Sequence, residues 1–264
     1  MRVVTLFLGV LLVASTGLVG CKSSSSAAPA AGQTDGGCTG FCANPSTFLT
    51  VADVQQVIAQ AVAEARARGV NATIAVSDRV GNVLGVFQMN GATANSTITS
   101  NRTPAVLAPT SAATLENVLV PATSAAVTKA ITGAYLSSEG NAFTTRTASQ
   151  IVQENFNPGE TNRPAGPLFG VQFSQLACSD LVALNNIARQ GSGGNIAPNG
   201  SPLGLAADPG GIPLYKGGTP VGGVGVIADN VYGLDLSISD IDSTGTAALD
   251  EAIALAGTQG FTAP

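Results

Sequence analysis

Residues 48–89, FLTVADVQQVIAQAVAEARARGVNATIAVSDRVGNVLGVFQM, decide the fold. Thr50 stands where a hydroxyl can accept from the free N–H groups of a helix start. Asp53, three residues on, brings a carboxylate to the positive end of the helix dipole. Val54, Ile58, Ala61, Val62 and Ala65 recur at helical spacing and give one apolar face. Gln55, Gln56, Glu64, Arg66 and Arg68 fill the other face. Gly69 suits the end of the helix, because glycine enters the left-handed region without penalty. Two β-rich runs follow, 72–77 and 83–89, joined by Asp78-Arg79-Val80-Gly81-Asn82, a hairpin with a turn longer than the tightest type.

Upstream, Arg2 and the apolar run 3–13 read as an export leader, too short to span a bilayer as a helix. Leu18-Val19-Gly20-Cys21 completes a bacterial lipobox, so Cys21 is the expected lipidation site and 1–20 the signal peptide. The expectation is a lipoprotein of the bacterial cell envelope, anchored to the membrane and facing the periplasm or exterior. Residues 21–47 are rich in Ser, Ala, Gly and Pro and read as a flexible tether. Cys38 and Cys42 interrupt it, and with Cys178 they offer three thiols to an oxidising compartment. A structural disulfide, Cys38 with Cys42 or one of them with Cys178, is favoured over a metal site, since the chain contains no histidine.

Residues 48–264 then suit one domain with a large insertion at about 138–210. The net charge of −5 becomes one unit more acidic once a leader holding Arg2 is removed, and no basic cluster points to nucleic acid. Residues 90–101 read as a loop or weak edge, and 111–119 as a short helix. Residues 121–136, PATSAAVTKAITGAYL, read as a second major helix, with proline allowed in its first turn. Gly133 would cost that helix about 1 kcal/mol against alanine unless a strand or a flat ligand packs closely there. Prolines 158, 164 and 167 break up the next segment, with helices expected at 147–155 and 176–189 and a glycine-rich loop at 190–211. So long an irregular stretch is either functional or a surface elaboration. Strands at 212–216 and 221–228 flank Gly217-Gly218-Thr219-Pro220 as a second hairpin, and a last helix runs from Asp242 or Ser243 to about 256. The order predicts an α+β fold: a central antiparallel sheet with helices packed on it.

Several motifs exclude chemistry rather than supply it. Gly222-Gly223-Val224-Gly225 lacks a following helix and lysine, so close packing within a sheet outweighs a phosphate loop. Absence of histidine rules out Ser-His-Asp and Cys-His machinery. Asp78, Asp208, Asp229, Asp235, Asp240 and Asp242 offer carboxylates, but paired acid–base work needs a separation that sequence does not fix. Asp235, Asp240 and Asp242 could catch Ca²⁺, but they lack the spacing of an EF-hand loop and read as solvated loop acids.

The blocks LTVADVQQVIAQAVAEARARG, IAVSDRVGNVLGVFQM, SAAVTKAITGAY and GGIPLYKGGTPVGGVGV, with the closing Ala-rich helix, resemble the GlcG/HbpS-like family of heme-binding proteins (DUF336-type domain). The resemblance covers 49–91, 124–136 and 210–256. It implies a sheet of about five antiparallel strands with helices packed on it, homo-oligomeric assembly, and heme or a related tetrapyrrole as ligand. The family's Lys-Ala-x-Thr-Ala helix is matched by Lys129-Ala130-Ile131-Thr132-Gly133. By resemblance Thr132 is the candidate oxygen near iron and Lys129 a partner for a propionate; Gly133, which stands where the motif has Ala, is a candidate point of close approach through its helix cost. Each has a plainer reading: a solvated lysine, a packed hydroxyl, a close strand. With histidine excluded, Tyr135 beside the block is a candidate phenolate ligand, with Cys178 as a thiolate and Met89 as a weaker option. The family's Arg-Met-Asp-Gly-Ala is here Gln88-Met89-Asn90-Gly91-Ala92, so a cation and an anion are replaced by amides. Three functions follow from the resemblance: a heme binder, a heme-degrading enzyme, or an envelope interaction module that has lost the ligand.

Overall fold

A computed structural model describes residues 47–99, 117–153, 155–156, 160–169, 203–235 and 246–264. All of them belong to the unit Asp35–Pro264. The signal peptide, the tether up to residue 46, Cys21, Cys38, Cys42, Cys178, the helix expected at 176–189, most of the 190–211 loop, Asp240 and Asp242 lie outside the described residues. So does most of the helix expected at 111–119; its last part is instead a positive-φ Asn117 leading into a strand.

Helix α1 (Val51–Ala67) begins as its sequence dictates. The Thr50 Oγ1 accepts the Asp53 N–H at 3.2 Å, and the Thr50 N–H donates to Asp53 Oδ2 at 2.7 Å. Lys216 adds an ion pair to the same carboxylate. Burial opposes ionisation of Asp53, yet the Lys216 and Thr50 hydrogen bonds hold its carboxyl below the usual range. Its buried face is Val54, Val57, Ala61, Val62 and Ala65, with Ile58 half-buried. Strands β1 (Thr73–Asp78) and β2 (Val83–Gln88) form the expected hairpin. Asp78 Oδ1 accepts the N–H groups of both Val80 and Asn82 and so closes the turn.

Residues 95–99 form strand β3 (Asn95–Thr99), where the sequence reads as loop or weak edge, followed by β4 (Leu119–Pro121). Helix α2 (Ala122–Leu136) starts directly after Pro121. Helix α3 (Thr145–Ile151) is shorter than the 147–155 expectation and starts earlier, because Thr144 caps it. Strands β5 (Gly211–Lys216) and β6 (Thr219–Ile227) make the second hairpin, with a tighter turn than expected. Gly217 and Gly218 have φ of 56° and 87°, a two-residue turn that favours glycine at both positions. β7 (Val231–Gly233) and helix α4 (Thr246–Gly257) complete the order.

The architecture is α+β. In place of one sheet of about five strands there is a four-stranded antiparallel sheet, β2-β1-β6-β5, and a three-stranded one, β4-β3-β7. The split arises because β3 pairs parallel with the distant β7 rather than with a neighbouring hairpin. Alternation along β1 sorts the core: Ile74 and Val76 meet Val57, Ala61, Val224 and Ile253 on the α1/α4 face. Ala75 meets Ala126, Ala130 and Ile131 on the α2 face. No helix among the described residues is long and apolar enough to cross a membrane.

Candidate functional site

The close approach of α2 to the sheet is built from glycines. A Cβ on Gly223 would stand 2.1 Å from Ala130 O, and one on Gly225 2.1 Å from Ala126 O. Their alternation with Val224 and Val226 turns the small residues to α2 and the branched ones to the opposite core. Gly133 meets a strand: its Cβ would lie 3.1 Å from the Ile212 carbonyl carbon and 3.2 Å from Pro213 N. Thr132 is fully buried, its Oγ1 donating to Thr128 O at 2.7 Å and accepting the Ala206 N–H at 2.8 Å.

Lys129 is the only charged residue of α2, and it too is fully buried. Nζ stands 2.7 Å from Asp250 Oδ2 on α4, 2.5 Å from Asp208 Oδ2 in the 203–210 loop, and 2.8 Å from Val226 O on β6. Burial works against the ammonium charge, but Asp208, Asp250 and nearby Asp229 together raise its pKa. The carboxyls pay the opposite way. Burial pushes Asp208 up to about 7 against the pull of Lys129, with Asp229 adding to the rise. Burial likewise holds Asp250 well above the usual carboxylate range. Asp250 Oδ1 also accepts the Ala228 N–H at 2.7 Å, so one lysine ties together α2, β6, α4 and the 203–210 loop. Sequence reading did not find this cluster; its signal was a single lysine in an otherwise apolar, alanine-rich helix.

Tyr135 occupies a different setting, at the open C-terminal end of α2, 42% exposed. Its hydroxyl donates to Val80 O at 2.9 Å, and its ring covers Gly81 in the β1–β2 turn. Arg79, in the same turn, donates to Ala134 O at 2.9 Å and Ser137 O at 3.1 Å, meeting carbonyls at the negative end of the helix. Beside it lies an open cleft of about 590 Å³, lined by Thr47, Arg79, Ser138, Glu139, Gly140, Thr219 and Pro220. Of the four α2 candidates, Lys129, Thr132 and Gly133 thus face protein groups in the interior, and Tyr135 faces outward.

The remaining candidates separate. Met89 is buried, its Sδ 3.4 Å from the Ala72 N–H. Asp235 is not a solvated loop acid: it is 7% exposed and pairs with Arg146, which also reaches Glu251 at 2.6 Å. The expectation failed because nothing in the local sequence marks Arg146, 89 positions away, as its partner. Among the described residues no group of three His, Cys, Asp or Glu side chains is arranged to hold a metal ion.

No family model matches the chain, and no curated protein matches it. Solved structures similar to it include a complex of PduOC with heme, at 16% identity and TM-score 0.43, covering 82% of this chain and 97% of that one. Another is ORFY from Klebsiella pneumoniae, of the DUF336 family, at 18% identity and TM-score 0.41, with 80% and 88% covered. A double mutant of HbpS from Streptomyces reticuli shares 19% identity at TM-score 0.38, with 90% and 99% covered.

Proposed function

We propose that the protein is an exported, lipid-anchored binder of heme or a related tetrapyrrole, and that the ligand meets α2 at its outer end. The observation that carries this reading is the placement of Tyr135, a half-exposed phenol beside the Arg79 turn and its cleft. A phenolate is an established donor to ferric heme iron, and a guanidinium suits the propionates. Lys129, Thr132 and Gly133 do not fit direct contact because they are buried against protein groups, whereas Tyr135 and Arg79, which also bond to backbone carbonyls, do so where a ligand can reach and compete for them. The role of the three interior residues in this reading is to hold α2 against the sheet and so to fix Tyr135. Bound heme would supply a redox-active or sensing centre; the chain's own part is to bind, orient and shield it.

Titration of the purified protein with hemin tests the reading. One equivalent should bind with a defined Soret shift and a high-spin ferric spectrum, since phenolate is a weaker-field donor than imidazole. Tyr135→Phe should change that spectrum while far-UV circular dichroism stays the same. Hemin uptake no tighter than by an unrelated acidic protein, or a Tyr135→Phe spectrum identical to the parent's, would overturn it. The second reading, an envelope interaction module without ligand, is favoured by the apolar exposed strand β2 and would then lead. Release of a linear tetrapyrrole on adding ascorbate would instead support heme degradation.

A further inference from the structure

Lys129, Asp208 and Asp250 are enclosed more tightly than an ion pair needs. All three are buried, and glycines close around two of them. A Cβ on Gly225 would stand 2.8 Å from the Lys129 Cβ, and one on Gly210 2.7 Å from the Asp250 Cβ. Neither side chain has space to withdraw from the other. Nζ stands 2.7 Å from Asp250 Oδ2 and 2.5 Å from Asp208 Oδ2, and Val226 O accepts a further hydrogen bond from it at 2.8 Å. The other oxygen of Asp250, Oδ1, accepts the Ala228 N–H at 2.7 Å. These are the parts of an acyl transfer: an amine, a carboxyl group held against it, a donor on the carbonyl oxygen, and a second carboxyl touching the amine. As an ion pair alone the cluster adds little net stability, because desolvation of buried charges can exceed their attraction.

We propose that Lys129 and Asp250 condense after folding to an isopeptide bond that ties α2 to α4, with Asp208 carrying the protons. The reactants are the Lys129 ammonium, the Asp208 carboxylate and a neutral Asp250 carboxyl, the form that burial favours. Asp208 takes a proton from Nζ, and the freed amine attacks Asp250 Cγ. Negative charge gathers on Oδ1, where the Ala228 N–H meets it. The Cγ–Oδ2 bond then breaks, and the Oδ2 hydroxyl leaves as water with the proton that Asp208 carried. Asp208 receives a second proton from the nitrogen and ends neutral. Three protons on nitrogen and one on Asp250 become one on the amide, two on water and one on Asp208, with no change of oxidation state. Asp250 is the acyl partner because of the Ala228 donor and its fixed seat on α4. Asp208, in a loop and pushed up to about 7, suits the exchange of protons near neutral pH. The product replaces a buried ammonium and carboxylate with neutral groups, which favours it in an interior that excludes water. Chains that have just folded hold the ion pair, and the bond closes afterwards. The inference stands apart from tetrapyrrole binding, because none of the three residues belongs to the Tyr135 site.

Peptide mapping of the full chain, purified from a bacterial host and stored folded, tests it. Trypsin digestion after complete denaturation should release a branched peptide joining the segments of Lys129 and Asp250. That peptide should be lighter than its two parts by one water and uncut after Lys129. The joined positions are 121 apart, so the denatured chain should also migrate faster in SDS gels than Asp250→Ala, which closes no loop. Asp250→Asn should form the same bond with loss of ammonia, giving a product of the parent's mass. Asp208→Asn should slow closure by about a hundredfold or more. The parent's own digest decides the matter even where a variant fails to fold. Linear peptides alone, or a branch at Asp208 in place of Asp250, would overturn the proposal, as would closure in Asp208→Asn at the parent's rate.

Discussion

Lys129 shows how one residue can carry a fold without touching solvent. An ammonium taken out of water is tolerated only when nearby groups replace its hydration, and here Asp208, Asp250 and Val226 do so. Lys129→Met keeps the length of the side chain but leaves two buried carboxyls without their cation. Its expected cost is about 3–5 kcal/mol near neutral pH, measured by urea unfolding. The cost should shrink in mild acid, where the carboxyls become neutral and no longer need the lysine. In the parent protein, Asp208 has a folded pKa of about 7 against 3.8 unfolded, so between those values the native state holds more protons. Its contribution to stability is therefore complete below the unfolded value and is lost as pH rises through about 7. Asp250 acts in the same direction. Asp208→Asn should flatten the fall in stability across that window; a slope equal to the parent's would show that Asp208 does not set it.

At the scale of elements, α2 sits on β5 and β6 because both partners were stripped of side chains at the contact. Gly223→Ala would place a methyl 2.1 Å from Ala130 O, a backbone atom that cannot turn aside. The helix must then lift, and the loss should reach the upper end of the roughly 1–3 kcal/mol usual for overpacked cores. A thermal midpoint within error of the parent's would contradict that contact. By the same reasoning Gly133→Leu should disturb the fold itself, because its neighbour is the β5 backbone and not a vacant slot. The elements that sequence reading located are those whose signals are local. The Thr50–Asp53 box, the Asp78 turn, the Gly217-Gly218 turn and the glycines of β6 each act within a few residues or along one strand. Elements it missed or misplaced depend on distant partners. β3 is short and polar and is held between β4 and Val231–Gly233, both distant in sequence. The site was legible to a similar degree: α2 and its residues were found, but their burial was not. Whether a lysine points to solvent or to Asp208 and Asp250 depends on residues 79 and 121 positions away.

For the whole molecule, composition bears on location more than on shape. Among the described residues the first to enter the core is Leu49. The residues of the proposed export signal, Arg2, the apolar run and Leu18-Val19-Gly20-Cys21, all precede Leu49 in sequence. Anchoring and folding should therefore be separable by one substitution. Cys21 supplies the sulfur that a lipid would occupy, and no other residue of the lipobox carries one. In a bacterial host the parent chain should take up labelled palmitate and partition with membranes. A single acyl chain binds a bilayer only marginally, so stable anchoring depends on the several chains that a lipobox cysteine receives together. Cys21→Ser should lose the label and appear as an unprocessed or soluble form, while the variant's hemin spectrum and circular dichroism match the parent's. Palmitate uptake that persists in Cys21→Ser would refute the lipid anchor and, with it, placement at the membrane surface.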